Sequence, residues 1–213
     1  RKYLSQKSLK ILVIKPIYGG SLPTANYCLE ALSKLGHEVE SVDCDNFADS
    51  FFSLKDITKI KSNSEILYKK FEGLMGEVAL AKAAEYRPDL ILVLAQAPLS
   101  PEVVYRLKQL NAPIAFWFVE DFRTLTYWKE IASCYDHFFT IQTDDFHSEL
   151  IIKGVNDCYY LPQAVEQSVH RPLNLTFDQK QKYEADISFM GAAYHNRLHS
   201  FPRLLNHDFK IWG

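Results

Sequence analysis

Five stretches of the chain share one rhythm, an apolar β-type run that breaks into small, polar or acidic residues: residues 10–21, 38–45, 89–96, 113–121 and 137–144. Runs that are almost continuously apolar, separated by stretches with helical spacing, suit a parallel sheet covered by helices on both faces, because such strands meet no solvent on either side. Open sheets of this kind bind ligands outside the carboxyl ends of their strands. Function is therefore expected at the polar residues that end each run.

The helical stretches fit the same plan. Leu22, Ala25, Leu29, Leu32 and Leu35 recur at amphipathic spacing after the first run, and Gly36 is placed to end that helix before the second strand. Together they make an opening βαβ unit, whose crossover should be right-handed. Residues 46–65 mix aromatics with turn formers and predict short helices, and residues 65–86 predict a long helix ended by Arg87-Pro88. Ser100 followed by Pro101 is a helix start, with the proline where its missing N–H is not needed. A helix is expected over 122–133, a further one capped by Asp144 or Asp145, and a sixth short strand at 158–161.

Residues 166–184 lose periodicity and have the polar composition of a linker. Beyond it, residues 186–191, 196–205 and 209–212 read as strand, helix and strand, the first βαβ of a second doubly wound unit or an added edge of the first sheet. The expected fold is thus α/β, a doubly wound parallel sheet of Rossmann-like type over 1–165, a linker over 166–184 and the start of a second Rossmann-like domain over 185–213. The absence of a starting methionine and the stop directly after a strand-like run predict a fragment of a longer protein.

Composition narrows the partners. With 47% hydrophobic and 23% charged residues the chain is of ordinary globular type, and a net charge of −2 from 24 basic and 26 acidic residues lacks the single-sign excess that nucleic-acid or membrane-surface binding needs. No apolar stretch approaches the roughly 20 residues of a membrane span, and a cytoplasmic location is expected. Cys28, Cys44, Cys134 and Cys158 are widely spaced, which favours buried structural thiols over a disulfide framework or a zinc site. His195 and His199 have helical i, i+4 spacing without an accompanying glutamate, so no metal is expected there.

Three groups of residues could carry chemistry. Gly19, Gly20 and Ser21 occupy the first strand-to-helix turn, where backbone N–H groups and the helix dipole favour an anion, although two glycines also serve a plain tight turn. Glu120, Asp121 and Arg123 cluster at the end of a wholly apolar strand, where a carboxylate can act as a general base or bind hydroxyls, or where Asp121 can simply cap the next helix. Gln96, Gln142, Thr143 and Gln163 end further strands and suit hydroxyl-rich ligands, as ordinary loop polarity also would.

The order Ile11-Leu-Val-Ile with a glycine turn, Phe116-Trp-Phe-Val-Glu-Asp121, Tyr160-Leu-Pro-Gln-Ala-Val165, Asp186-Ile-Ser-Phe-Met-Gly-Ala-Ala-Tyr-His-Asn-Arg197 and Ile211-Trp-Gly213 resembles the spore-maturation CgeB-like glycosyltransferases of GT-B architecture. The resemblance implies an acceptor-side N-terminal domain and the start of a donor-binding domain. It also implies transfer of a sugar from a nucleotide diphosphate to a hydroxyl, without a metal or other cofactor, with Asp121 as the base. Gly191 would lie near the donor diphosphate, with Tyr194 and Arg197 beside it, and the 213 residues alone are expected to be inactive. A non-catalytic binding or interaction module of the same fold is the rival expectation. A flavodoxin-like or sensor-type domain is a weaker one, disfavoured because the first turn lacks an acidic pair and is poor in Ser and Thr.

Overall fold

The most apolar of the five runs forms one of the two central strands. In the computed structural model, which describes residues 7–143, 145–192 and 194–213, strand β4 (Ile114–Phe118) has all five side chains buried. It lies in a six-stranded sheet with β1 (Lys10–Ile14), β2 (Glu38–Val42), β3 (Leu90–Leu94), β5 (His137–Thr140) and β6 (Cys158–Tyr160), in the order β2-β1-β3-β4-β5-β6. Every pairing is parallel, in the register Ile14↔Val93 for β1 and β3 and Leu94↔Trp117 for β3 and β4. This is the doubly wound α/β sheet that the runs require.

Strand β2 is an edge, and its sequence manages that position with charge: Glu38 pairs with Lys10 and Glu40 with Lys82, while Val42 alone is buried. The connecting helices are α1 (Ser21–Lys34), α2 (Ala48–Asp56), α3 (Lys61–Tyr86), α4 (Pro101–Lys108), α5 (Trp128–Ile131) and α6 (Asp145–Ile152). Asp144, one of the two expected caps of α6, lies outside the described residues. Met75, Ala79 and Ala83 of α3 are fully or almost fully buried, and Gly76 lies against Val103 of α4. Beyond β4 the core is aromatic: Phe122 and Phe146 stack 4.4 Å apart, and Trp128, Phe118 and Phe138 also pack around Phe146.

Two segments differ from expectation. The helix predicted over 122–133 shrinks to α5 and a short 3₁₀ turn, Ala132–Cys134: the turn after Asp121 is capped as a helix start would be, but the Phe122 carbonyl, which a continuing helix would use, is taken by a side chain. Asp121 Oδ1 accepts the N–H groups of Arg123 (2.8 Å) and Thr124 (3.2 Å), Gln142 Oε1 accepts that of Phe122 (2.9 Å), and Trp128 Nε1 donates to the Phe122 carbonyl (3.0 Å). The stretch read as a linker contains α7 (Phe177–Tyr183), which opens with a complete capping box between Thr176 and Gln179. Lys210 Nζ closes its other end on the carbonyls of Gln181, Lys182 and Glu184.

The chain divides into two compact units, Arg1–Ala164, which holds the sheet just described, and Val165–Gly213. In the second unit β7 (Ile187–Met190) and β8 (Phe209–Trp212) pair in parallel as a sheet of their own, so the alternative of an added edge on the first sheet is not realised. Between them α8 (His195–Ser200) runs into a 3₁₀ turn, Phe201–Leu204, shorter as an α-helix than the spacing predicted.

Candidate functional site

Strand order fixes where to look. From β1 the chain moves to β2 on one side and then builds β3 to β6 on the other, so the carboxyl ends of β1 and β3 flank the point where the winding reverses. A cleft of ≈ 380 Å³ opens there, lined by residues that follow β1, β3 and β4 and by the α2–α3 pair. Its volume falls in the range of about 300–1,000 Å³ usual for small-molecule sites.

Its floor rests on a close contact between two turns. Gly19 has φ +99°, and Gln96, at the end of β3, is held at φ +67°, a left-handed conformation unusual for a residue with a side chain. Gln96 Oε1 lies only 2.3 Å from where a Cβ on Gly19 would stand, so glycine is needed there for its conformation and for its missing side chain. Gly20, with φ −67°, is an ordinary helix cap. Ser21 is buried and donates its hydroxyl to the Ala95 carbonyl at 2.9 Å, with Gln96 Oε1 at 3.5 Å. The Gln96 N–H donates to the Tyr127 hydroxyl at 2.9 Å. The ends of β1, β3 and β4 are thereby laced together through one strained glutamine, and such strain persists where the surroundings over-determine it.

One wall is aromatic. Tyr18, Phe51 and Tyr68 line the cleft, with ring centroids 5.4 Å apart for Tyr18 and Phe51 and 5.6 Å for Phe51 and Tyr68. Glu72 stands one helical turn beyond Tyr68 on α3 and also lines the cleft, as do Leu125, Tyr127, Glu130 and Ile131. Burial raises the pKa of the Glu72 carboxyl, against the opposing charge of Lys69. The Tyr68 hydroxyl is raised by burial and then by the charge of Glu72. Tyr127 is raised by burial, and the charge of Glu120 adds to the effect. Glu120 is itself raised by burial.

Of the residues singled out in the sequence, Gly19, Ser21 and Gln96 come together at this floor. Glu120 lies half-buried near Tyr127. Asp121 is exposed and engaged in the turn that it caps, and the Arg123 guanidinium lies over the Phe122 ring at 4.6 Å. Gln142 supports that turn from β5, while Thr143 and Gln163 are exposed. Gly191, Tyr194 and Arg197 form a cluster within the second unit. There the Arg197 guanidinium sits between the rings of Phe189 (4.7 Å) and Tyr194 (4.8 Å) and donates to the Ala192 carbonyl at 2.5 Å. Sequence reasoning missed Phe51, Tyr68, Glu72 and Tyr127; the i, i+4 spacing of Tyr68 and Glu72 on a long helix was the available signal.

A second polar cluster lies at the ends of β1 and β2. Asp43-Cys44-Asp45 places two carboxylates at a spacing that could hold a divalent cation, but Lys15 Nζ stands 2.9 Å from Asp43 and 3.1 Å from Asp45 and takes that place. Among the described residues no group of three or more His, Cys, Asp or Glu side chains is arranged for a metal. All four cysteines are free thiols, and burial raises Cys28 and Cys158 to about 11 and Cys44 to about 12, which makes these three poor nucleophiles. No helix among the described residues is long and apolar enough to cross a membrane.

No protein-family model and no curated protein matches the chain. Among solved structures it is similar to a glycosyltransferase from Rickettsia africae ESF-5, with a TM-score of 0.51 and 16% identity over 97% of this chain and 60% of that one. It also aligns with the glycosyltransferase SnogD from Streptomyces nogalater, with a TM-score of 0.44 and 17% identity over 96% of this chain and 67% of that one. The chain therefore spans about 60% of the length of the Rickettsia protein. At this identity the first likeness is one of fold.

Proposed function

We propose that the protein is a glycosyltransferase of the CgeB-like, GT-B kind, in which residues 1–165 form the acceptor side and residues from 185 onward begin the donor-binding domain. The reaction moves a sugar from a nucleotide diphosphate to a hydroxyl: the acceptor oxygen bonds to the anomeric carbon, its proton passes to a base, and the diphosphate leaves with the electron pair of the broken bond. The observation that carries this reading is the cleft at the β1/β3 reversal, whose lining includes Gln96, held against Gly19 behind it, and the half-buried carboxylate of Glu72. The fold shared with the Rickettsia glycosyltransferase supports it.

Within the scheme the base is a carboxylate, and Glu72 is favoured because it lines the cleft, while Asp121 Oδ1 is occupied by two backbone N–H groups. The start of α1 at Gly19 to Ser21 offers its dipole to the departing diphosphate. Gly191, Tyr194 and Arg197 are assigned to the donor side, and the donor is a substrate, so no cofactor is invoked.

The test uses the natural full-length protein with a panel of sugar nucleotides, following release of nucleoside diphosphate. Glu72→Gln should lower kcat by about 100-fold or more, the usual contribution of a general base, and Asp121→Asn by a few-fold. The reverse ranking would assign the base to Asp121. Because burial raises Glu72 above its ordinary 4.5, kcat should climb with pH through a pKa higher than that value. Absence of nucleoside diphosphate release from every donor would favour a non-catalytic binding module.

A further inference from the structure

Charge, more than ring surface, sets the cleft apart. Tyr18, Phe51 and Tyr68 line both it and a second opening of ≈ 290 Å³ beside it, so the rings alone do not distinguish what either takes. The charged side chains do. The second opening has Lys55 and Lys69 against Glu65, whereas the cleft has Glu72 and Glu130 and no Lys, Arg or His in its lining. Among the described residues neither carboxylate of the cleft forms an ion pair or a hydrogen bond. Two neighbouring lysines are placed elsewhere: Lys69, whose charge acts on Glu72, lines the second opening, and Lys129 reaches Glu149 at 3.9 Å and lies over the Trp128 ring. Glu120 adds to the same sign, since its charge acts on the Tyr127 hydroxyl.

A carboxylate held partly out of water without a counter-charge is unfavourable, and a like charge brought beside it is more so. A cation relieves that imbalance, and the face of a tyrosine ring attracts one as well. General-base chemistry needs a single carboxylate, so the mechanism leaves Glu130 unused. The two glutamates also differ in setting, Glu72 half-buried and Glu130 exposed. An ammonium against Glu72 would favour its charged form and weaken it as a base, whereas Glu130 can pair with one without touching the chemistry. Ligand hydroxyls find partners too: the Ser100 and Tyr127 hydroxyls accept the N–H groups of Val103 and Gln96 and keep their own protons to donate. We propose that the cleft selects an acceptor carrying a protonated amine beside its hydroxyl groups, with Glu130 as the carboxylate that reads the amine and Glu72 left to the hydroxyl that reacts. This inference rests on the glycosyltransferase reading for the word acceptor and for the role of Glu72; as a statement about the charge of the ligand, it is testable without any donor.

The experiment titrates the 213-residue chain with three sugars of one ring shape and different charge, glucosamine, glucose and glucuronate, at about pH 6.5, below the range of amines and above that of carboxyls. Backbone amide NMR shifts report affinity and place it, with Gln96, Ala97, Leu99 and Glu130 marking the cleft. Glucosamine should bind there about threefold to tenfold tighter than glucose, and glucuronate more weakly than either. Raising the salt from about 0.02 M to about 0.3 M should shrink the preference for glucosamine. Glu130→Gln, at an exposed position, should reduce that preference about twofold or more, and Glu130→Lys should reverse the order of glucosamine and glucuronate. Glucose or glucuronate binding the cleft as tightly as glucosamine, a preference for glucosamine that is unmoved by either substitution, or no binding of glucosamine at the cleft overturns the proposal.

Failure here is distinguishable from failure of the glycosyltransferase reading. Nucleoside diphosphate release by the full-length protein with neutral acceptors and not with aminated ones would overturn the acceptor class alone. Glucosamine binding at this cleft without nucleoside diphosphate release from any donor would overturn the enzyme alone.

Discussion

At the scale of single residues, Gln96 and Gly19 are mutually dependent. Gln96 sits in the left-handed region at φ +67°, which disfavours a residue with a Cβ by about 1–2 kcal/mol, and its amide fills the space that Gly19 leaves open. Gln96→Gly should therefore leave stability unchanged or raised by about 1 kcal/mol in chemical denaturation, while weakening ligand binding at the cleft. Gly19→Ala should lose about 1–3 kcal/mol, because φ +99° and the encounter with Gln96 Oε1 act together. In the double variant Gly19→Ala/Gln96→Gly the steric part disappears and the dihedral part stays, so the combined loss should be smaller than the sum of the two single effects. Strict additivity would show that the two turns are not in contact. The sequence singled out both residues as ends of apolar runs, but their contact joins segments some 77 positions apart, and no local pattern encodes which strand ends become neighbours.

At the scale of elements, helix α3 carries two glycines with opposite roles. Gly73 is exposed, and a Cβ added there would meet nothing within 4 Å, whereas a Cβ on Gly76 would stand 2.4 Å from Val103 Cγ2 of α4. Gly73→Ala should raise stability by about 0.5–1 kcal/mol through helix propensity. Gly76→Ala gains the same propensity but forces two packed helices apart, and since Val103 is β-branched and stiff the net should be a loss of about 1–3 kcal/mol, read as a shift of the denaturation midpoint at constant m. Equal effects of the two would mean that α3 and α4 do not pack at this point. The strands and the first helix were legible because buried parallel strands and amphipathic helices impose periods on sequence. The helix expected after β4 stays a single turn where the Phe122 carbonyl, which a continuing helix would use, accepts from the Trp128 side chain; Asp121 caps that turn, and Gln142, twenty residues on, holds its first N–H, a partner that no local pattern encodes. The α2–α3 wall of the cleft was obscured for a different reason: Phe51, Tyr68 and Glu72 read as parts of helices packing on a sheet, and only tertiary placement turns their ring faces and carboxylate toward an opening.

For the whole molecule, two sets of carboxylates pull the stability curve in opposite directions, and the division follows structure against site. Burial disfavours the charged forms of Asp43 and Asp136, but Ser41 and Lys15 around the first, and Lys108 with the Ile114 N–H around the second, outweigh it and hold both below their ordinary 3.8. Their stabilisation is present above that value and is lost as pH falls through the lower native pKa values. Glu72 and Glu120 are raised by burial, so the stability tied to their protonated forms is present below about 4.5 and is lost as pH rises through their native pKa values. Lys15, where burial opposes charge but Asp43 and Asp45 prevail, is held above 10.5 and so contributes no change across the acid range. Thermal unfolding followed from pH 7 downward should thus show a melting temperature that rises slightly to a maximum between the ordinary values of the two groups, 3.8 and 4.5, and then falls. With all four groups partly exposed, each limb should amount to about 1 kcal/mol, or some 2–4 °C in a chain of this size. Glu72→Gln/Glu120→Gln should flatten the upper limb and leave the lower one, while Asp43→Asn/Asp136→Asn should do the reverse; a curve that falls monotonically from pH 7 in the unsubstituted protein would show that the two glutamates are not held above their ordinary range. The upper limb ties the stability of the fold to the cleft: burial disfavours the charged forms of the glutamate that lines it and of the one beside Tyr127, so ionising them costs stability, as is usual where burial serves a site rather than a core.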